Sequence, residues 1–360
     1  MPRQLRLLFV YIIVNCQVKD VLQLWRSHWR CLCEDVVYQQ RRLTRNNDLQ
    51  LSDNQMEFYG LAEIEKLLGA IGKSLKKIPT KWVLDIGDGK LDLPSNEYSQ
   101  YDQYIEIPSK YCIQSPIASI DDVITSTYDG LENSYKSTTY LRERAILTPT
   151  NQVVNHLNDL IMDKIPGDPI VYYSSDMVQD DGTGEQGNST FPIEYLNTIK
   201  ISGLPVHELR LKEGIVVMLM RNLSQTLGLC NGTRLIVRKC MKHTVQCEVL
   251  SGNNVGAIHL IPRLDMCPSD TKLPFNFVRK QFPLQVCFAM TINKAQGQSL
   301  SKVGLYLPKP VFCHGQLYVA ISRVTSPYGL KVYIETDHGS TTSITKNVVF
   351  EEIFYKLPTT

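Results

Sequence analysis

The chain has 360 residues, 43% of them hydrophobic and 21% charged, a composition that excludes a disordered or collagen-like polymer and leaves room for two domains and a small third one. The net charge of +2, from 38 Lys and Arg against 36 Asp and Glu, points to no partner by itself. It averages two unlike segments: residues 81–135 hold ten acidic and three basic side chains, whereas residues 200–250 hold eight basic and three acidic ones, and a local basic surplus is what a phosphate backbone attracts.

In chain order, Arg3 and Arg6 precede the apolar run Leu7 to Val14. The run is too short to span a membrane and no small-residue cleavage site follows it. Its β-branched and aromatic content predicts a buried strand, with a targeting segment as the alternative reading. The ten cysteines are scattered and only Cys31 and Cys33 stand close together. No second pair lies at zinc-site spacing, so no metal site is expected and reduced, buried thiols are.

Met56 to Leu75 has helical spacing, with Phe58, Leu61, Ile64, Leu67, Leu68 and Ile71 on one face. Leu67 to Ser74 ends like a phosphate-binding loop of the form GxxxxGK[ST] but begins on Leu67 where Gly is required. It also lies in a helical pattern, whereas such a loop follows a strand, so it reads as a helix terminus. Trp82 to Asp85 has the pattern of an apolar strand ending in an acidic residue, which carries little without that loop. Asp85 to Pro116 is acidic and rich in Pro, Ser and Tyr, predicting loops with short strands.

At Arg144 the pattern changes. RAILTPTNQVVNHLNDLIM reads as an apolar strand, a Thr-Pro-Thr-Asn turn and an amphipathic helix carrying Val153, Val154, Leu157, Leu160 and Ile161, the β-turn-α unit of a parallel sheet. Ser174 to Pro192 is a polar connector. Between Leu211 and Ile261 the short runs IVVMLM, TRLIVRK, TVQCEVL and AIHLI alternate with Gly/Asn turns, predicting a small antiparallel barrel or sheet inserted in the larger fold. VCFAMTINKAQGQSL then reads as strand-turn-helix, VGLYL as a strand, GQLYVAISRV as a helix and LKVYIE as a last strand. Ligands of such sheets meet the loops at the carboxyl ends of the strands, which singles out Thr148 to Asn151 and Thr291 to Gln298.

Met290 to Leu300 (MTINKAQGQSL), followed by Tyr318 to Val324 (YVAISRV), resembles motifs V and VI of superfamily-one helicases. More narrowly it is similar to the petite-integration-frequency (PIF) family of ATP-dependent DNA helicases, in the form carried by eukaryotic Helitron-type elements. Also similar to that family are IGDGK at 86–90, RAILTPTN at 144–151, SGLP at 202–205, MLMRN at 218–222 and LCNGTR at 229–234. The likeness covers roughly residues 80–335.

The resemblance implies an α/β fold: a RecA-like parallel-sheet domain of the P-loop NTPase type with a small β-barrel-like 2B insertion. It implies a tail of a first RecA-like domain over 1–80, the start of a second over 81–193, the insertion over 194–250, the remainder over 251–345 and a C-terminal tail over 346–360. Arg323 would offer a permanent cation to the γ-phosphate of ATP, and a surface ion pair is its plain structural alternative. Gln296 and Gly297 would meet the nucleotide where backbone N–H groups favour anions, or merely start a helix.

Thr291, Asn293 and Lys294 would touch the DNA strand, Asn293 standing where the family commonly has His. Thr148 and Asn151 would hydrogen-bond DNA phosphates, with Asn151 as a helix cap the alternative. Arg221 and Arg234 on the basic insertion would face DNA, or be solvated charge.

The phosphate loop, the acidic pair that binds Mg2+ and motif III are expected on a first domain that these residues do not include. Leu24 to Arg26 and Leu43 to Asn46 resemble the segment that follows motif III, and Asp48 stands where the family has an Arg facing the γ-phosphate, with Arg45 too early to be equivalent. The expected function is therefore a 5′–3′ ATP-dependent DNA helicase present as a C-terminal part, inactive alone and served by a chain supplying the first domain. ATP with Mg2+ is its substrate, single-stranded DNA its partner and the nucleus its location, with the mitochondrion as alternative. A non-catalytic single-strand-binding remnant is the alternative function.

Overall fold

The computed structural model describes residues 2–15, 21–44, 46–69, 81–91, 104–113, 119–179, 191–252, 254–268, 273–336 and 341–350. The backbone divides into two compact units, 1–90 and 91–360.

The described residues of the first unit form helices α1 (Pro2–Asn15), α2 (Val21–Cys33), α3 (Val36–Thr44), α4 (Asp53–Gly69) and α5 (Lys81–Gly87). The strand expected over Leu7 to Val14 is therefore a helix. Arg6, Phe9 and Val10 are buried while Leu7, Leu8 and Tyr11 are exposed, a spacing of three to four that only a helix gives. Packing against Trp25, Leu32, Cys33, Ile64 and Leu68 overrides the β-propensity of the run. Trp82 to Asp85 is likewise helical, not a strand. The helix expected from Met56 is present to Gly69, and its continuation, with the end of the loop-like string, falls outside the described residues, as does Arg45. Asp48 is exposed and its amide donates to Asn46 Oδ1 at 3.0 Å.

The second unit carries, in order, β1 (Tyr104–Glu106), α6 (Ile120–Thr127), α7 (Leu131–Ser134), α8 (Thr138–Arg142), β2 (Arg144–Thr148), α9 (Asn151–Asp163), β3 (Ile170–Tyr173), β4 (Ser175–Gln179), α10 (Ile193–Thr198), β5 (Glu208–Leu211), β6 (Val216–Leu219), β7 (Arg234–Cys240), β8 (Thr244–Val249), β9 (Ile258–Pro262), β10 (Leu264–Met266), β11 (Asn276–Gln281), β12 (Leu284–Val286), β13 (Ala289–Thr291), β14 (Lys302–Leu307), α11 (Gln316–Ile321), β15 (Leu330–Glu335), β16 (Thr341–Thr342) and β17 (Ile344–Lys346).

Its central sheet has the order β13-β2-β14-β15-β16, the first four parallel and β16 antiparallel. β2 is buried from Ala145 to Thr148, as expected of a strand covered on both faces. Gly304 of β14 lets α6 approach, for a Cβ there would meet the Thr127 hydroxyl and Val123.

A second sheet, order β12-β6-β7-β8-β9, is antiparallel throughout. This is the inserted β module, and every short run that predicted it is a strand. Two smaller sheets, β10-β11-β4 and β3-β5, adjoin in sequence. The sheet β10-β11-β4 is locked by Arg279 and Asp176, whose side chains are 1% and 0% exposed. Part of the polar connector expected from Ser174 is thus strand β4, and residues 180–190 lie outside the described set.

Candidate nucleotide and nucleic-acid interface

Motifs at 290–300 and 318–324 meet in space. β13 ends at Thr291, residues 292–295 make one 3-10 turn in which Gln296 N–H donates to the Asn293 carbonyl at 3.3 Å, and Gly297 then takes φ +81°. The α-helix expected here is absent, because a left-handed residue cannot continue a right-handed helix. Gln296 and Gly297 are exposed, and a Cβ at Gly297 would meet nothing within 4 Å, so the space over this turn is open to a ligand.

Arg323 follows α11 and folds back on that turn. Its Nη1 donates to the Gln298 carbonyl at 3.3 Å, Nε to the Val319 carbonyl at 2.9 Å and Nη2 to Ser322 Oγ at 2.9 Å. The backbones are stitched as well, Leu300 N–H to Arg323 O at 3.0 Å and Thr325 N–H to Leu300 O at 2.8 Å. The surface ion pair considered for Arg323 does not form: no carboxylate lies in salt-bridge range of it among the described residues. Burial lowers its pKa, offset in part by Tyr318. Among the described residues, a half-buried guanidinium held only by carbonyls and a hydroxyl is an uncompensated cation in place before any anion arrives.

A second cluster lies at the carboxyl ends of β2 and β13. Asn151, Met218, Gln285, Met290, Thr291 and Lys294 line one small recess, with the apolar residues as floor and amide, hydroxyl and ammonium groups at the rim. Gln285 spans that rim, donating to Asn155 Oδ1 at 3.3 Å and accepting from Lys294 Nζ at 3.5 Å. Asn151, Asn293 and Lys294 are exposed. The helix cap is Thr150, not Asn151, which leaves the Asn151 side chain out of the capping role.

Two expected contacts do not reach the surface. Thr148 is 0% exposed, paired in register with Thr291, and its hydroxyl has no partner among the described residues. Arg234 is 1% exposed and spends its guanidinium on the carbonyls of Leu141, Arg142 and Arg144. It is a helix C-terminal clamp, binding the orphan carbonyls of α8.

Lys212 does the same for α9, donating to Met162 O and Ile165 O. Arg210 and Arg238 are paired with Glu208 and Glu248. Four of the eight basic side chains of residues 200–250 are thus committed to partners within the chain. Arg221 remains half-exposed, donating to Cys267 O at 3.0 Å.

Gln285 was not among the residues expected from the sequence. Its only signal there is an amide one strand upstream of MTINKAQG. Among the described residues no group of three or more His, Cys, Asp or Glu side chains is placed to hold a metal, and no helix is long and apolar enough to cross a membrane.

Residues 194–239 match the family model described as "DNA helicase Pif1, 2B domain". The ATP-dependent DNA helicase Pif1 of Campylobacter jejuni is 25% identical over 222 residues, 59% of this chain and 47% of that protein. The ATP-dependent DNA helicase PIF1 of Homo sapiens is 39% identical over 132 residues, 36% of this chain and 20% of that protein. The crystal structure of Pif1 helicase from Candida albicans aligns with TM-score 0.42 and 22% identity over 66% of this chain and 57% of that one. The chain spans about half or less of the length of these curated relatives. With a match to the Pif1 2B domain over residues 194–239, the chain is similar to the PIF (Pif1) family of helicases over the part of their length that it spans.

Proposed function

We propose that this chain contributes the second RecA-like part and the 2B module of an ATP-dependent 5′–3′ DNA helicase. The observation that carries the reading is Arg323: an uncompensated guanidinium tied to the open Gly297 turn is what a polyphosphate requires of the domain that closes on it. A polyphosphate such as that of ATP suits the Arg323 cation in charge, and the space directly over Gly297 is open. Bound with Mg2+ against a phosphate loop, ATP would supply the free energy for movement, while the chain's own part is to hold the cation at the cleft. That loop would come from a first RecA-like domain on a longer product or a partner chain. Single-stranded DNA would run over the rim of Asn151, Thr291, Asn293 and Lys294, with Arg221 further along the 2B module. Service in repair, recombination, telomere or element replication, in the nucleus or the mitochondrion, belongs to the same proposal.

The recess owes nothing to ATP, and this favours a second reading in which the chain is a single-strand-binding module without catalysis. Both readings require strand binding. Titrating the purified chain with a fluorescent oligothymidylate at rising salt should give a log-log slope of about −0.7 per phosphate contacted. Binding that is absent at low salt removes both readings.

A further inference from the structure

Between Val286 and Ala289 the chain leaves one sheet and enters another. β12 pairs with β6 in the antiparallel module up to Val286, and β13 pairs with β2 in the central sheet from Ala289. At such a crossing the ladder stops and buried N–H and C=O groups need other partners. The Cys287 amide still reaches Val216 O at 2.8 Å. Four of the remaining groups are met by one side chain.

Asn158 of α9 is 3% exposed. Its Oδ1 accepts from Phe288 N–H at 2.9 Å and Ala289 N–H at 2.8 Å, while Nδ2 donates to Val286 O at 2.9 Å and Ala289 O at 3.2 Å. All four bonds fit a single orientation of the amide, since two partners are donors and two are acceptors. The Phe288 carbonyl is held from elsewhere, by Tyr128 OH at 2.7 Å and Ile146 N–H at 3.1 Å.

Asn158 lies seven residues after Asn151, on the face of α9 that also buries Val154 and Ile161. The segment it holds leads from Gln285 into Thr291 and Lys294. We propose that Asn158 is the positioning residue of the strand-binding rim: by stapling the crossing between the two sheets it sets Gln285 and Lys294 at their distances from Asn151. It touches no ligand and acts through Lys294 and its neighbours. The inference rests on the strand-binding reading above.

The test uses the full chain, an oligothymidylate probe and Asn158→Asp. The carboxylate keeps both acceptor roles and loses both donors, and it faces the carbonyls of Val286 and Ala289 with negative charge. The folded variant should bind the probe about tenfold or more weakly. The magnitude of its salt slope should fall by about 0.7, the share of one phosphate contact. Adding Lys294→Ala to it should change little, whereas Lys294→Ala in the wild type should weaken binding, because two residues acting through one contact are not additive.

A merely structural Asn158 would lower the melting temperature and leave the slope and the additivity of the folded protein as they were. That result, or wild-type affinity in folded Asn158→Asp, overturns the proposal while the strand-binding reading stands. Failure of the wild-type chain to bind overturns both. Should Asn158→Asp not fold, Asn158→Ser, which retains a short donor and acceptor, is read by the same slope and the same double variant.

Discussion

Arg323 and Gln298 are joined side chain to backbone, Nη1 to carbonyl oxygen at 3.3 Å, across the 24 residues that separate them in sequence. The bond pulls a cation from one motif over the open turn of the other. Three directed contacts hold it, at Nε, Nη1 and Nη2, a fork that an ammonium cannot reproduce. Arg323→Lys is therefore expected to resemble Arg323→Ala. Both should lose roughly 10³–10⁵ in hydrolysis rate when a phosphate-loop-bearing first domain is supplied, with oligothymidylate affinity near wild type in the absence of nucleotide. A lysine variant with near-full activity would show that charge alone suffices.

Gly297 combines φ +81° with empty space beyond its Cβ position. Gly297→Ala then has no neighbour to clash with and bears only the left-handed backbone cost, roughly 1 kcal/mol. Thermal melts should show Gly297→Asn closer to wild type than Gly297→Ala, since Asn tolerates that region better. Equal melting temperatures for Ala and Gly would mean the turn relaxes freely.

The Arg279 fork onto Asp176, at 2.9 and 2.6 Å, is sealed from solvent and supported by the carbonyls of Ile199, Pro205 and Leu196. Removing one partner strands a buried charge. Asp176→Leu is expected to cost about 3–5 kcal/mol in urea unfolding, and the double variant Asp176→Leu, Arg279→Met less than that single change. A double variant as unstable as the sum of two large single losses would contradict this.

In the first unit, Arg6 donates to both Asp35 oxygens at 2.6 and 3.0 Å and holds the Asp35 carboxyl below the usual carboxylate range. A depressed folded-state pKa stabilises above the unfolded value, about 3.9, and the contribution is lost as pH falls through the folded value. The stability gap between wild type and Asp35→Asn should therefore be full at pH 6 and close below about pH 4. Urea midpoints measured across that range decide it, and a gap unchanged at low pH would contradict the assignment.

Much of the second unit was legible in the sequence because its strands announce themselves in two ways. β2 is a continuous apolar run, and β8 alternates, with Val245, Cys247 and Val249 buried. Helix α1 was not legible, because its β-branched and aromatic residues favour a strand and only packing against Trp25 and Ile64 decides otherwise. Among site residues, Gln296 and Gly297 are exposed on the turn that Arg323 reaches through Gln298, and Lys294 lines the recess. Arg234 is buried and not at the surface, and nothing in a local string tells an arginine that clamps a helix end from one that meets solvent. Asn158 is hard to read from sequence because a polar residue in an apolar stripe looks like noise. In fact an amide among Val154, Leu157 and Ile161 is the signal, for burial there obliges it to find partners.

The measurement that bears most directly on the whole account is single-strand-stimulated ATP hydrolysis, made with the 360-residue chain alone and again with a first RecA-like domain carrying a phosphate loop. Background rates are expected for the chain alone, stimulated hydrolysis in the mixture and loss of that stimulation with Arg323→Ala. Stimulated hydrolysis by the chain alone, abolished by Arg323→Ala, would contradict this.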